Sequence, residues 1–162
     1  MSIRTADLFD QFGTEVQVVE PLFRDYGGVS TFSGSIATVD VYEDNLLVRE
    51  MLAEPGNGRV LVVDGGGSLH AALLGGNLAQ MALDNGWAGV VIYGCVRDVA
   101  ELAEIALGVR ALASTPRPGA KRGRGVCDQP LYFAGAGFRP GAYLYADQDG
   151  ILVAPRDLLG GE

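Results

Sequence analysis

Two short stretches, residues 59–64 (RVLVVD) and 89–93 (GVVIY), are apolar and rich in β-branched side chains at consecutive rather than alternate positions. A half-exposed strand alternates with period two, so these runs predict strands covered on both faces, the setting of a parallel sheet inside an α/β fold. Each is followed by glycine and then a helical pattern. After the first come Gly65-Gly66-Gly67, the segment 68–74, and Gly75-Gly76-Asn77 opening a helix carried by Leu78, Met81 and Ala82 and stopped at Asn85-Gly86. After the second, closed by Gly94, residues 97–106 place Val99, Leu102 and Ile105 at helical spacing, with Asp98, Glu101 and Glu104 between them. Strand, turn and helix thus occur twice. Because such crossovers are right-handed, the two strands are expected side by side and parallel.

The remaining chain fits around that unit. Residues 32–42 (FSGSIATVDVY) predict a strand with one buried face, and a helix bearing Leu47, Met51 and Leu52 starts at Asp44 and ends by Pro55-Gly56. A short surface helix is expected over 5–11, a strand over 109–113 and a loop over 116–125. Short strands joined by turns are expected over 131–155, including a hairpin of 142–146 and 151–154 across Asp147-Gln148-Asp149-Gly150. With 162 residues and neither an internal repeat nor a linker, the chain is expected to form one domain, residues 1–162.

Charge and cysteine content remove several classes of function. Twenty acidic against 12 basic residues leave a net charge of −8, which argues against direct nucleic-acid binding, since a phosphate backbone repels such a surface. Cys95 and Cys127 lie outside any CxxC or Cys/His spacing, so neither a disulfide framework nor a zinc cluster is expected. No apolar run reaches the length of a membrane span, and residues 1–10 (MSIRTADLFD) lack the apolar centre of a secretory signal. A cytoplasmic, soluble protein with no membrane partner is expected.

The chemistry concentrates where the two units meet. Ligands of open α/β sheets collect at the carboxyl ends of parallel strands, so Gly75, Gly76, Asn77 and Leu78 are expected beside Arg97 and Asp98, although twenty residues separate Gly76 from Arg97. The glycine pair leaves the N–H groups of a helix start bare for a carboxylate or oxyanion, and Arg97 adds a planar, permanently charged fork. Asp98 offers a hard oxygen ligand suited to Mg²⁺ or Mn²⁺, and Glu101, three residues on, shares its helical face and is placed to hold a water. An anion cradle, an arginine and a metal carboxylate are what a 2-oxo acid needs to become an enolate.

The segments VVDGGGSLHAALLGGNLA, GWAGVVIYGCVRD and GAYLYADQDGILVAP resemble the RraA-like family, which includes the regulator of ribonuclease activity A and the class II 4-hydroxy-4-methyl-2-oxoglutarate aldolases. Aldolase members carry Asp-X20-Arg-Asp or Gly-X20-Arg-Asp-X2-Glu/Asp, and this chain is similar to the second form through Gly76, Arg97, Asp98 and Glu101. The resemblance implies an α/β, three-layer β/β/α swivelling-domain fold with a central mixed sheet, a homotrimer, and sites near subunit boundaries. It implies that Gly75, Gly76, Asn77, Leu78 and Arg97 bind substrate, that Asp98 holds a divalent cation, Mg²⁺ or Mn²⁺, and that Glu101 compensates for the acid missing at Gly76. The activity implied is retro-aldol cleavage to pyruvate with secondary oxaloacetate decarboxylation, Arg97 and Glu101 being catalytic. The alternative is a non-catalytic regulator binding a ribonuclease E-like partner. Regulator members lack the aspartate after the arginine, so Asp98 points to retained chemistry.

Other features read as structural. The turn Asp64-Gly65-Gly66-Gly67-Ser68 is similar to a nucleotide or S-adenosylmethionine loop, but the next strand, GVVIY, does not end in the acidic residue that a ribose hydroxyl requires. His70, among apolar neighbours, is expected buried or at a subunit contact, Cys95 in packing, and Trp87 in the core or a contact. The bases of residues 117–124 are expected on a mobile, solvated loop.

Overall fold

The consecutive apolar runs become the middle of a sheet. In a computed structural model, which describes residues 3–160, the chain begins with helix α1 (Thr5–Phe12), the two-residue strands β1 (Gln17–Val18) and β2 (Arg24–Asp25), and the long strand β3 (Phe32–Asp40). Helix α2 (Leu46–Leu52), β4 (Val60–Asp64), β5 (Ala72–Leu74) and α3 (Gly76–Asp84) follow, then β6 (Gly89–Val96), the single turn α4 (Val99–Leu102) and β7 (Gly108–Ser114). The last third holds β8 (Val126–Cys127), β9 (Leu131–Phe133), β10 (Ala136–Phe138), β11 (Tyr143–Asp147) and β12 (Gly150–Ala154).

The main sheet runs β1-β12-β11-β3-β4-β6-β7-β2, with β5 added to β6 and β8 to β3, while β9 and β10 form a separate hairpin. Strands β3, β4, β6 and β7 are mutually parallel, in register through Ile36, Val60, Gly89 and Gly108, and the flanking strands are antiparallel. The two buried runs of the sequence therefore lie side by side and parallel, as expected. Val60, Leu61, Val62 and Val63 are all fully buried because successive side chains enter different cores. Leu61 and Val63 pack with Val48, Leu52, Ala79 and Ala82 of the helices. Val60 and Val62 pack with Leu144 and Val153 of β11 and β12 and with Phe133 and Phe138 of the hairpin.

Strands β11 and β12 belong to the same sheet as β4, yet they share a core with its far face, so the sheet curls back over itself. The result is a mixed α/β fold built on one large curled mixed sheet, a half-barrel, with the β9–β10 hairpin inside the curl. There Phe133 stacks on Tyr93 at 4.8 Å and on Phe138 at 4.4 Å between ring centres. Gly89 and Gly108, partners across β6 and β7, lie beneath the ring of Phe32, which fills the space that a Cβ on either would need. Trp87 is a core residue, 3% exposed, and donates its indole N–H to the Glu54 carbonyl at 3.1 Å.

Three local expectations change. Strand β6 does not close at Gly94 but continues to Val96, with a register irregularity between Ile92 and Cys95, because β5 adds to its end and Leu73 packs over Gly94. The helix expected over 97–106 shrinks to α4, since Asp98 takes a left-handed conformation (φ 60°, ψ 44°) and Ile105 already bonds back to Leu102 in a tightened turn. Residues 116–125 form the expected loop with exposed bases, but one tied down by its backbone: the Ala72 amide donates to the Arg117 carbonyl at 2.8 Å, and that of Gly119 to Ala72 at 2.9 Å. Among the described residues, no helix is long and apolar enough to cross a membrane.

Candidate active site

The site is assembled by β5, the element that the sequence concealed. Leu74 pairs with Val96, and the Arg97 amide donates to the Leu74 carbonyl at 2.9 Å, so the chain leaving β5 and the chain leaving β6 emerge together. Gly75 occupies the junction. A Cβ there would lie 2.7 Å from Asp98 Oδ2 and 3.3 Å from Arg97 Cγ, so only glycine leaves both side chains in place. The left-handed turn at Asp98 swings its carboxylate back over the start of α3, where Oδ2 accepts the Gly76 amide at 2.9 Å. Such a conformation is uncommon outside glycine and is tolerated best by Asp and Asn. The single turn of α4 then returns Glu101 to the same place, with its carboxyl group filling the space that a Gly76 side chain would take.

All the residues singled out in the sequence therefore meet: Gly75, Asn77, Leu78, Arg97 and Asp98 line one cleft of about 110 Å³, and Glu101 stands beside it over Gly76. Two details differ from expectation. The crevice lies between the ends of β5 and β6, not between those of β4 and β6, because the β4 end at Asp64 is taken up by its own turn. The start of α3 is only partly bare, since Asp98 accepts the first of its amides; Asn77 and Leu78, the next residues of the helix, line the cleft.

The opposite wall was not visible in the sequence. It is formed by Asn45 and Leu46 at the start of α2, by Arg49 in its last turn and by Lys121. Lys121 is delivered there by a strap, residues 116–125, tied by its backbone on both sides. Ala120 donates to the Glu43 carbonyl at 2.8 Å and accepts from the Asn45 amide at 2.8 Å. The amides of Arg122, Gly123 and Arg124 converge on the Asp44 carboxylate at 3.0, 3.2 and 3.3 Å, and that of Leu46 joins them at 3.1 Å. Asp44 is 2% exposed. Burial opposes its ionisation, but the four backbone donors outweigh that effect and hold its carboxyl below the usual carboxylate range. The signal for this wall was the Asp44-Asn45 pair opening a helix, and it gave no hint that the acid caps a strap nearly eighty positions away.

Among the described residues, no group of three or more His, Cys, Asp or Glu side chains is placed to enclose a metal ion. What the cleft offers is one carboxylate, Asp98, with a second oxygen beyond the one bonded to Gly76, and Glu101 close by. That donor set fits a hard divalent cation that keeps most of its coordination in water and substrate oxygen, as Mg²⁺ does, and not a closed zinc site.

Residues 5–153 match the family model described as RraA-like, Aldolase/RraA. The chain belongs to the RraA-like family. It is 56% identical over 159 residues to a protein of Alkalilimnicola ehrlichii named "Putative 4-hydroxy-4-methyl-2-oxoglutarate aldolase", covering 98% of this chain and 99% of that one. The crystal structure of a Geobacillus kaustophilus HTA426 protein described as an S-adenosylmethionine:2-dimethylmenaquinone methyltransferase superposes with a TM-score of 0.97 at 53% identity, over 99% of each chain. The solved structure of the RNA-processing inhibitor RraA from Thermus thermophilis superposes with a TM-score of 0.95 at 49% identity, over 100% of this chain and 98% of that one.

These relatives carry three different functional names, so the RraA-like fold alone does not choose among them. The glycine turn after β4 bears on one of the three. Gly66 donates to the Asp64 carboxylate at 2.8 Å, and the amides of Gly65 and Gly67 donate to the Tyr93 carbonyl at 3.0 and 3.1 Å. Its amides are spent on its own fold, as expected of a structural turn. Of the two places expected for His70, burial within the subunit does not hold: its side chain is exposed, 3.5 Å from Glu43 Oε2, because residues 68–70 form a surface turn before β5 begins. Cys95 is buried, as expected for packing, and burial pushes its thiol pKa up.

The Asp44 cap leads to a measurable consequence. Asp44→Ala should destabilise the chain by about 2 kcal/mol at pH 7, since several strap amides lose their acceptor. Because the folded-state pKa of Asp44 is depressed, its contribution is complete above the unfolded value of about 3.9 and lost as pH falls through the lower folded value. Thermal melts of wild type and variant should therefore differ at pH 7 and converge below about pH 4; a gap that stays constant to low pH would remove the carboxylate from this role.

Proposed function

We propose that this chain is a divalent-metal-dependent lyase that cleaves 4-hydroxy-4-methyl-2-oxoglutarate to two molecules of pyruvate and, as a secondary activity, decarboxylates oxaloacetate. The observation that carries the reading is the convergence of Arg97, Asp98, Glu101 and the start of α3 on one cleft. The 56% identity to a relative bearing the aldolase name supports it. Cleavage breaks the C3–C4 bond, leaving the electron pair on C3 as a pyruvate enolate while the 4-hydroxyl loses its proton and becomes the ketone of the second pyruvate. Decarboxylation of oxaloacetate leaves the same enolate, so one site that stabilises charge serves both.

In this reading the amides of Asn77 and Leu78 receive the C1 carboxylate, and the Arg97 guanidinium faces the C2 ketone oxygen, where charge grows as the bond breaks. Mg²⁺ or Mn²⁺, held by Asp98, would supply further positive charge favouring the enolate over the ketone. The Gly76 amide holds Asp98 in position through the bond to Oδ2. Glu101 orients a water that accepts the 4-hydroxyl proton and returns a proton to C3. The homotrimer implied by the family resemblance would bring a neighbouring subunit to the edge of this cleft.

Pyruvate release from both substrates tests the reading directly. Arg97→Ala should lower kcat by about 10²- to 10³-fold, the cost of removing one preorganised donor. Asp98→Ala and treatment with a chelator should each reduce it to background, with Mg²⁺ or Mn²⁺ restoring the chelated wild type. Equal rates in wild type and both variants would end the enzymatic reading. The place of Glu101 gives a sharper result. Glu101→Ala should lose about 100-fold or more in kcat, and Gly76→Asp added to it should recover part of that loss, because the new side chain enters the space that the Glu101 carboxyl has vacated.

A second reading, inhibition of a ribonuclease E-like enzyme by protein–protein binding, is supported by the 49% identity to the Thermus RNA-processing inhibitor and by the net charge of −8. On that reading an arginine-rich peptide binds in a salt-sensitive way and still binds Arg97→Ala and Asp98→Ala. Absence of binding at low salt would leave the lyase reading alone.

A further inference from the structure

We infer that the seam of the curled sheet holds a second binding pocket, apart from the cleft, in which Arg110 receives a small carboxylate bearing a short apolar tail. The sheet ends in β1 on one side and in β2 on the other, so it does not close into a barrel. Yet only residues 19–23 join those two end strands, and so short a connection spans at most about 20 Å. The two edges therefore face each other across a narrow gap. A cavity of about 210 Å³ lies there, lined by Val19, Glu20 and Phe23 of the connection, by Gln148 and Ile151 around the β11–β12 turn, and by Arg110 of β7. Arg110 points to the inside of the curl, since its register partner on β6 is Val91, which packs in the core on that face. Mouths of this kind are where barrel-like sheets take up small ligands.

Arg110 is 5% exposed, and its hydrogen bonding is incomplete. Both bonds of its side chain run from Nη2, to the carbonyls of Ser30 at 2.7 Å and Asp147 at 2.8 Å. Among the described residues, Nε is shut off from solvent and has no acceptor. The neighbouring acids do not supply one. Asp25 Oδ2 stands 3.9 Å from Nη2, beyond hydrogen-bond distance. The Asp147 carboxylate accepts the Thr5 amide at 2.8 Å and the Thr5 hydroxyl at 2.6 Å, and that of Glu20 lies against Gly135. Asp149 also lines the cavity, but it is exposed, so water screens it. A guanidinium has five donors, and burying one without a hydrogen-bonded anion costs stability. Burial accordingly pulls the Arg110 pKa below its ordinary value, although Asp25 and Asp147 oppose the shift. Two backbone carbonyls thus hold the guanidinium in place, and its unused donors await an acceptor. Val19, Phe23 and Ile151 offer apolar surface to the rest of the ligand.

The test titrates the full-length protein calorimetrically with butyrate and with butyramide, its neutral counterpart of the same shape, in a chelator that keeps divalent ions out of the cleft. Wild type should bind butyrate about tenfold more tightly than butyramide or better, the scale of one charge-assisted hydrogen bond. Arg97→Ala, which removes the arginine of the cleft, should move the butyrate affinity by less than about threefold. Arg110→Gln should bring the ratio of the two ligands close to one. Because Arg110 also holds the Ser30 and Asp147 carbonyls, Gln148→Trp decides the matter if that variant does not fold: it is a surface substitution that fills the cavity, and it should weaken butyrate about tenfold or more with the melting temperature unchanged. No butyrate binding by wild type, a wild-type ratio near one, a ratio unchanged in folded Arg110→Gln, or binding that Arg97→Ala abolishes or Gln148→Trp leaves intact would overturn the pocket.

Discussion

Gly76 gives its amide hydrogen to Asp98 at 2.9 Å, and that bond exists only because β5 lies against the last residues of β6. Three residues of strand bring together two chain segments that leave the sheet at the same level. One supplies the amides at the start of a helix, the other a guanidinium and two carboxylates. The left-handed backbone at Asp98 is what allows a side chain to turn back rather than follow the strand outward, and the absence of side chains at Gly75 and Gly76 is what gives it somewhere to go. Backbone geometry is sacrificed locally, at a cost of about 1–3 kcal/mol for such a residue, and held by the sheet on either side.

The two walls of the cleft are secured by different means. On one, sheet pairing and the Asp98 bond fix the groups that face the 2-oxo acid. On the other, a buried carboxylate gathers the amides of a strap that has little regular structure of its own, and so an exposed, basic segment becomes part of a defined surface. Asp44 does with three hydrogen bonds to the strap what a longer strand would do with a ladder. In both walls the backbone is held by backbone or by a dedicated acid.

Much of the fold was legible because it rests on local rules. RVLVVD and GVVIY could only be strands covered on both faces, and the Asp147-Gln148-Asp149-Gly150 turn reappears as the β11–β12 hairpin, with Asp147 opposite Gly150. The places where the expectation failed share a cause. Strand β5 is three residues long and lies in an apolar segment, SLHAALL, that has neither period. The helix expected over 97–106 had the right spacing, but a single left-handed residue at Asp98 shortened it to one turn. His70 is not buried within the subunit despite its apolar neighbours in the chain, since a turn before a strand faces outward whatever adjoins it.

By itself, the order of residues determined the class of fold, the two parallel strands at its centre, and the identity of the groups on one side of the cleft: Gly75 through Leu78, Arg97, Asp98 and Glu101. The strands follow from period, the helix start from glycine placement, and the grouping of Gly76, Arg97, Asp98 and Glu101 from the resemblance to the family's Gly-X20-Arg-Asp-X2-Glu/Asp pattern. Tertiary structure alone decided that the crevice lies at β5 and β6, that the Glu101 carboxyl occupies the space of a Gly76 side chain, and that Asp44 brings Lys121 across from a segment some eighty positions away. The physical reason is that a strand pairing or a buried carboxylate is satisfied by whichever donors the folded chain brings within reach, and sequence distance does not enter that choice.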